Sequence, residues 1–215
     1  EIEIRAANVP DLELIDLPGL VATPPDVAAA SLKLTQRFLD DPNTLALCVV
    51  EDVGATVRGA PILAEVTKRH GAGLPWRTIV VLTKVEVSTP NPARLAKRLH
   101  SPEDTLGFQP KAIIPVINRG QGDGKSLVQA FDEEQVTFAQ WRQSELGPPA
   151  LPTAECLGLS AVLRSLNELI EHYMKCTWVP QQLREVEAHL DKVREDAEQL
   201  GTPLIFSRIS GEPRN

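Results

Sequence analysis

Leu12 to Leu20 reads LELIDLPGL, a short apolar run that meets an aspartate and then breaks at Pro18-Gly19. A run of this length reads as a strand. A carboxylate followed by a glycine turn then puts Asp16 at the carboxyl edge of a sheet, where open α/β folds bind ligands. A carboxylate there can hold Mg²⁺ through water, and a glycine three residues on can offer its backbone N–H to a phosphate that a side chain would obstruct. Asp16 and Gly19 have that spacing. The same residues also suit a plain strand-to-loop turn, because turns favour Asp, Pro and Gly. On this stretch alone both readings stay open.

Toward the N-terminus, Ile2 and Ile4 alternate with Glu3 and Arg5, and Asn8 to Asp11 supplies a turn, so an antiparallel edge hairpin is expected. Downstream, Asp26 to Asp40 fits a helix with Val27, Leu34 and Phe38 on one stripe, flanked by Leu32 and Leu39, and with Asp26 as N-cap. TLALCVV (44–50) and RTIVVLT (77–83) are nearly all apolar, as strands covered on both faces are. Helices are expected over Pro61 to His70 and, with a basic character, over Pro92 to His100. KAIIPVIN (111–118) is a third buried strand, weakened as a central one by Pro115. The alternation predicts right-handed βαβ crossovers and a mainly parallel sheet of five strands.

From Ala154 onward the pattern is helical. Leu159, Val162, Leu163, Leu166, Leu169, Ile170 and Tyr173 share one face, and Leu183, Val186, Leu190, Val193, Ala197 and Leu200 recur at alternating spacings of three and four. Proline suits the first turn of a helix and not its interior, so Pro180 is expected to mark a break or hinge between two long helices. Lys192 with Asp196 and Arg194 with Glu198 read as a solvated face.

Composition narrows the function classes. The 215 residues carry a net charge of -7, 42% apolar, 24% charged and 4% aromatic residues, which describes a globular protein without a nucleic-acid surface or a polybasic membrane patch. No run approaches the roughly 18 apolar residues that span a bilayer. Cys48, Cys156 and Cys176 lie in apolar surroundings without metal spacing and read as reduced core thiols of a cytosolic protein. His70, His100, His172 and His189 have no ligand-spaced companions and read as surface or helix-face residues. The only methionine is Met174 and the chain opens on Glu1, so a preceding segment is expected.

Three expected strand ends carry polar signatures in chain order: Asp16-Leu17-Pro18-Gly19, Thr83-Lys84-Val85-Glu86 and Asn118-Arg119-Gly120-Gln121. A carboxylate after Thr-Lys can accept from the ring N–H and exocyclic amine of guanine, while the lysine stem lies along the ring. LELIDLPGL, VVLTKVE and PVINRGQGD resemble the G-domain motifs of the dynamin superfamily of large GTPases, and the N-R-x-Q-x-D form of the last is the most specific of them. The resemblance runs from about Ile2 to Leu190 and includes PNTLALCVV and the VLRSLNELIEHYMKC that precedes Pro180.

That resemblance implies an α/β, P-loop NTPase-like fold, incomplete at the N-terminus, followed by two long C-terminal helices. It implies a partial G domain over 1–150, helices of the bundle signalling element or stalk over 151–200, and an irregular tail over 201–215. It makes Asp16 and Gly19 the Mg²⁺ and phosphate element, with Asp16 the metal residue, and Lys84, Glu86, Asn118, Arg119 and Gln121 the guanine and ribose pocket. GTP or GDP and Mg²⁺ are the implied cofactors. For the parent protein it implies GTP hydrolysis, membrane remodelling, self-assembly into a homo-oligomer, indirect membrane association and a cytoplasmic location, with peripheral attachment to an organelle membrane as a further option.

Two departures bear on activity. The family has aspartate where Glu86 stands, and the extra methylene moves the carboxylate forward by about a bond length, which weakens affinity or base selectivity. Nothing before Asp16 reads G-x-x-x-x-G-K-[ST], and the family's switch threonine is missing too, so no residue here is assigned a catalytic role and the chain is expected to bind nucleotide weakly and hydrolyse little. Gly120 to Ser126, GQGDGKS, imitates a phosphate loop, but its glycine spacing is one residue short. Two alternatives therefore stand beside the first reading: a degenerate, non-catalytic module for self-assembly or scaffolding, and an ATPase using Gly124-Lys125-Ser126.

Overall fold

A computed structural model of the chain describes residues 14–20, 24–52, 57–69, 71, 73–87, 92–118, 124–143 and 151–201. The chain divides into two compact units, residues 1–163 and 164–215.

In the first unit three parallel strands, β1 (Ala46–Glu51), β2 (Thr78–Thr83) and β3 (Ala112–Pro115), pair in the order β1-β2-β3. The connections are helical: α1 (Pro25–Leu39) precedes β1, α2 (Pro61–Lys68) joins β1 to β2, and α3 (Pro92–His100) with the short α4 (Pro102–Leu106) joins β2 to β3. α5 (Leu127–Gln143) follows β3. The fold is thus α/β with a parallel sheet, as the alternating pattern requires. Leu63 and Val66 of α2, Leu95 of α3, Leu106, Phe108 and the β2 residue Leu82 belong to one buried cluster.

Several expectations are corrected by the packing. Three strands, not five, form among the described residues; the edge hairpin at residues 2–11 lies outside them. Residues 14–20 carry no regular element, and Leu14 is 84% exposed. A strand is held by its ladder, and no described strand pairs with this stretch. β2 is buried at every position, but β1 alternates, with Leu47 and Val49 42% and 60% exposed. One face of β1 is therefore open where two covered faces were expected. Among the described residues β3 pairs on one side only, and Val116 N–H, next to Pro115, donates to the Leu82 carbonyl of β2, so Pro115 at the strand end removes no ladder donor that β2 needs.

α1 begins one residue earlier than expected, with Pro25 in its first turn and Pro24 as N-cap, so Asp26 serves the first turn by its charge and not as the cap. Its buried face is Ser31, Thr35 and Leu39, and the expected stripe residues Val27 and Leu34 are exposed. Polar bonds hold it to α2: Gln36 donates to Glu65 at 3.0 Å, and Arg69 joins Asp40 at 2.6 Å to Glu65 at 2.9 Å.

α6 (Gly158–Tyr173) passes into a π-helical turn, Met174–Trp178, and then α7 (Val179–Leu200). Pro180 falls in the first turn of α7. The expected break is a change of hydrogen-bond pattern: Tyr173, Trp178 and Val179 keep right-handed helical angles, and Val179 N–H reaches back five residues to the Met174 carbonyl. On α7, Leu183, Val186, Leu190 and Val193 are exposed, and Arg194 pairs with Asp191 at 3.3 Å, not with Glu198. No described helix is long and apolar enough to cross a membrane. Of the thiols only Cys48 is core, its pKa pushed up to about 12 by burial; Cys156 and Cys176 are exposed.

Candidate functional site

Parallel pairing brings the carboxyl ends of β1, β2 and β3 to one edge. Glu51 lies opposite Thr83, and two further backbone bonds carry the chain past the ladder: Asp52 N–H donates to the Thr83 carbonyl at 2.7 Å, and Val116 N–H to the Leu82 carbonyl at 2.8 Å. Lys84 and the segment leading to Asn118 therefore leave adjacent strands at the same edge.

The turn after β2 is tightly specified. Lys84 has φ +58, left-handed for a residue that bears a side chain, and its carbonyl accepts from Val87 N–H at 3.1 Å. Val85 is buried in the main cluster, which pins the turn from below. The Lys84 ammonium is ion-paired with Glu51 across the strand ends, and both side chains are about half exposed. Glu86 is half-buried, and its Oε2 is shielded from solvent with no hydrogen-bond partner among the described residues. A buried carboxylate oxygen without a donor is costly, and it is the kind of group that a ligand's N–H satisfies.

Behind this edge the buried Asp52 is ion-paired with Arg98 of α3, and Arg94 approaches it at 3.8 Å. The pair ties α3 to the end of β1. After β3, Ile117 N–H donates to Glu134 Oε1 of α5 at 2.8 Å, and Asn118 is exposed at the edge.

Asp16 and Gly19 are exposed on the irregular stretch 14–20, and no described hydrogen bond or ion pair ties Asp16 to the strand ends. A Cβ at Gly19 would meet no atom of the described residues within 4 Å. Arg119 and Gln121 lie outside the described residues. The described residues hold no group of three metal-ligating side chains. One carboxylate such as Asp16 nonetheless suits Mg²⁺, which takes one or two carboxylates and fills its remaining positions with phosphate oxygens and water.

The GKS stretch has a different local use. Ser126 Oγ accepts from Gln129 N–H at 3.2 Å while Gln129 Oε1 accepts from Ser126 N–H at 2.9 Å, a reciprocal capping box at the start of α5. Lys125 pairs with Glu133 at 2.5 Å.

Glu51, Asp52 and Glu134 tie the strand ends together without belonging to any of the three sequence motifs. Glu134 had a visible signal: a carboxylate in phase with Ala130 and Phe138 on an otherwise apolar stripe.

No family model matches the chain. The curated proteins similar to it include three that differ in name and source. It is 30% identical over 213 residues to the interferon-induced GTP-binding protein Mx of Ctenopharyngodon idella, covering 93% of this chain and 32% of that protein. It is 29% identical over 216 residues to the vacuolar protein sorting-associated protein 1 of Schizosaccharomyces pombe, covering 94% and 29%. It is 24% identical over 150 residues to the mitochondrial dynamin-like GTPase OPA1 of Gallus gallus, covering 65% and 14%. The chain spans about a third of the length of the first of these relatives.

Proposed function

Homology over 93% of its length makes the chain a relative of the dynamin-superfamily large GTPases, and on that premise we propose that the carboxyl edge of its sheet receives the base of a guanine nucleotide. The observation that carries the reading is the Glu86 carboxylate: Oε2 is buried, lacks a described donor and follows Lys84 by two residues. Guanine presents a ring N–H and an exocyclic amine side by side, and both would donate to this carboxylate. Adenine presents a ring lone pair in the same place, which faces the carboxylate as acceptor against acceptor.

In this reading the Lys84 stem lies along the base once its ammonium leaves Glu51. Asn118, with Arg119 and Gln121, completes the base and ribose pocket. Asp16 and Gly19 face the phosphates, with Asp16 the residue that would hold Mg²⁺ through water. A bound Mg²⁺ would neutralise phosphate charge. The resemblance extends the proposal to the whole protein, with GTP hydrolysis, self-assembly and work at a membrane. Because the 215 residues contain no G-x-x-x-x-G-K-[ST] loop, the chain alone binds nucleotide weakly and turns over little GTP.

Paired lysine variants test the reading against an ATP site at the GKS stretch. Lys84→Ala is expected to weaken GDP binding by the full chain about tenfold, and Lys125→Ala to leave it within about twofold. The reverse pattern, or GTP turnover by the full chain well above buffer, would overturn the assignment.

A further inference from the structure

Glu134 is 3% exposed, and it spends both carboxylate oxygens on backbone N–H groups from two different segments. Oε1 accepts from Ile117 at 2.8 Å, one residue before Asn118, and Oε2 accepts from Leu159 at 2.9 Å, in the first turn of α6. Both donors are groups that regular structure leaves over. Ile117 lies past the last ladder pair of β3, and the first N–H groups of a helix have no partner within it. Gly158 completes the arrangement. Its φ is +77, and a Cβ there would stand 2.7 Å from Glu134 Oε2 and 2.9 Å from its Cδ, so both its conformation and its lack of a side chain let α6 start against the carboxylate.

We propose that Glu134 is a positioning residue that holds the Asn118 segment and the start of α6 in one register, so that a displacement at either end is felt at the other. Its consequence for nucleotide binding rests on the guanine reading above; the mechanical link does not. The chemistry calls for a carboxylate. Glutamine has one acceptor oxygen, and its amide N–H groups would face a backbone N–H, so it keeps one of the two bonds at most. The segment before Asn118 then reports on the first turn of α6, and α6 is the helix that carries the chain from the first unit into the second.

Backbone amide hydrogen exchange by NMR on the full 215-residue chain tests this with Gly158→Ala and Glu134→Gln. Gly158→Ala alters no residue of β3 or of the segment after it. Exchange at Ile117 is nevertheless expected to rise about tenfold more than exchange at Val80, a core β2 amide that reports global stability. In Glu134→Gln one of the two amides, Ile117 or Leu159, is expected to lose protection while the other stays slow. Ile117 exchange that is unchanged in both variants, or that rises only in step with Val80, overturns the proposal. GDP affinity measured on the same samples separates the two readings: absent GDP binding by the unaltered chain defeats the guanine site, while the exchange result still decides the link.

Discussion

Two glutamates meet the carboxyl edge of the sheet in opposite condition. Glu134, reaching from α5 to the segment after β3, has a backbone N–H on each oxygen. Glu86, in the turn after β2, has one oxygen shielded from water with no described donor. An unmet buried acceptor costs about 1–3 kcal/mol, so the chain carries at Glu86 a penalty that it avoids at Glu134. The same residue type is scaffold in one place and a group prepared for a partner in the other.

Truncating the two glutamates should separate them by stability. Glu134→Ala leaves two N–H groups without an acceptor and lowers stability by about 2–4 kcal/mol, whereas Glu86→Ala leaves it within about 0.5 kcal/mol or raises it. Chemical denaturation of the two variants checks this, and equal losses would erase the distinction.

A third buried carboxylate sharpens it by adding charge. Lys68 foremost, then Gln36 and Arg69, hold Glu65 down from its ordinary 4.5 to about 2. A depressed carboxylate pKa stabilises the fold above the unfolded value, and that contribution is lost as pH falls through the folded value. The chain should therefore lose stability between about pH 4.5 and pH 2 through this group. Lys68 is largely exposed, so solvent screening limits the contribution to about 1 kcal/mol. In Glu65→Gln the slope of stability against pH should flatten over that window, measured by thermal melts at stepped pH. An unchanged slope would remove the Glu65 network from the account.

The smallest effect concerns the sheet. Val49 faces outward on β1, so Val49→Thr should change stability by less than about 0.5 kcal/mol, while Val80→Thr in the fully buried β2 should cost several times as much.

That contrast also marks how far the sequence could be read. TLALCVV and RTIVVLT look alike, and both are strands, because a run of β-branched and aliphatic residues between turn signals leaves the backbone little else to do. Which faces are covered depends on what packs there, and no local pattern records it; hence the open side of β1 and the exposed stripe of α1. LELIDLPGL reads as a strand by the same logic, yet residues 14–20 have no described ladder to join. Of the expected site residues, Lys84, Glu86 and Asn118 follow strands that the apolar runs announce, whereas Asp16 and Gly19 follow none among the described residues. The Glu51 contact to Lys84 and the Glu134 bridge were not legible, because each joins residues 17 or more positions apart through geometry that only the folded chain creates.

Titrating the full chain and its Glu86→Ala variant with GDP, IDP and ADP asks whether Glu86 awaits the donors of guanine. IDP keeps the ring N–H and lacks the exocyclic amine. The expected order for the unaltered chain is GDP tightest, IDP weaker and ADP weakest, about tenfold or more below GDP, with the differences collapsing in Glu86→Ala. Equal affinity for all three, or a preference that survives the loss of Glu86, would contradict the account.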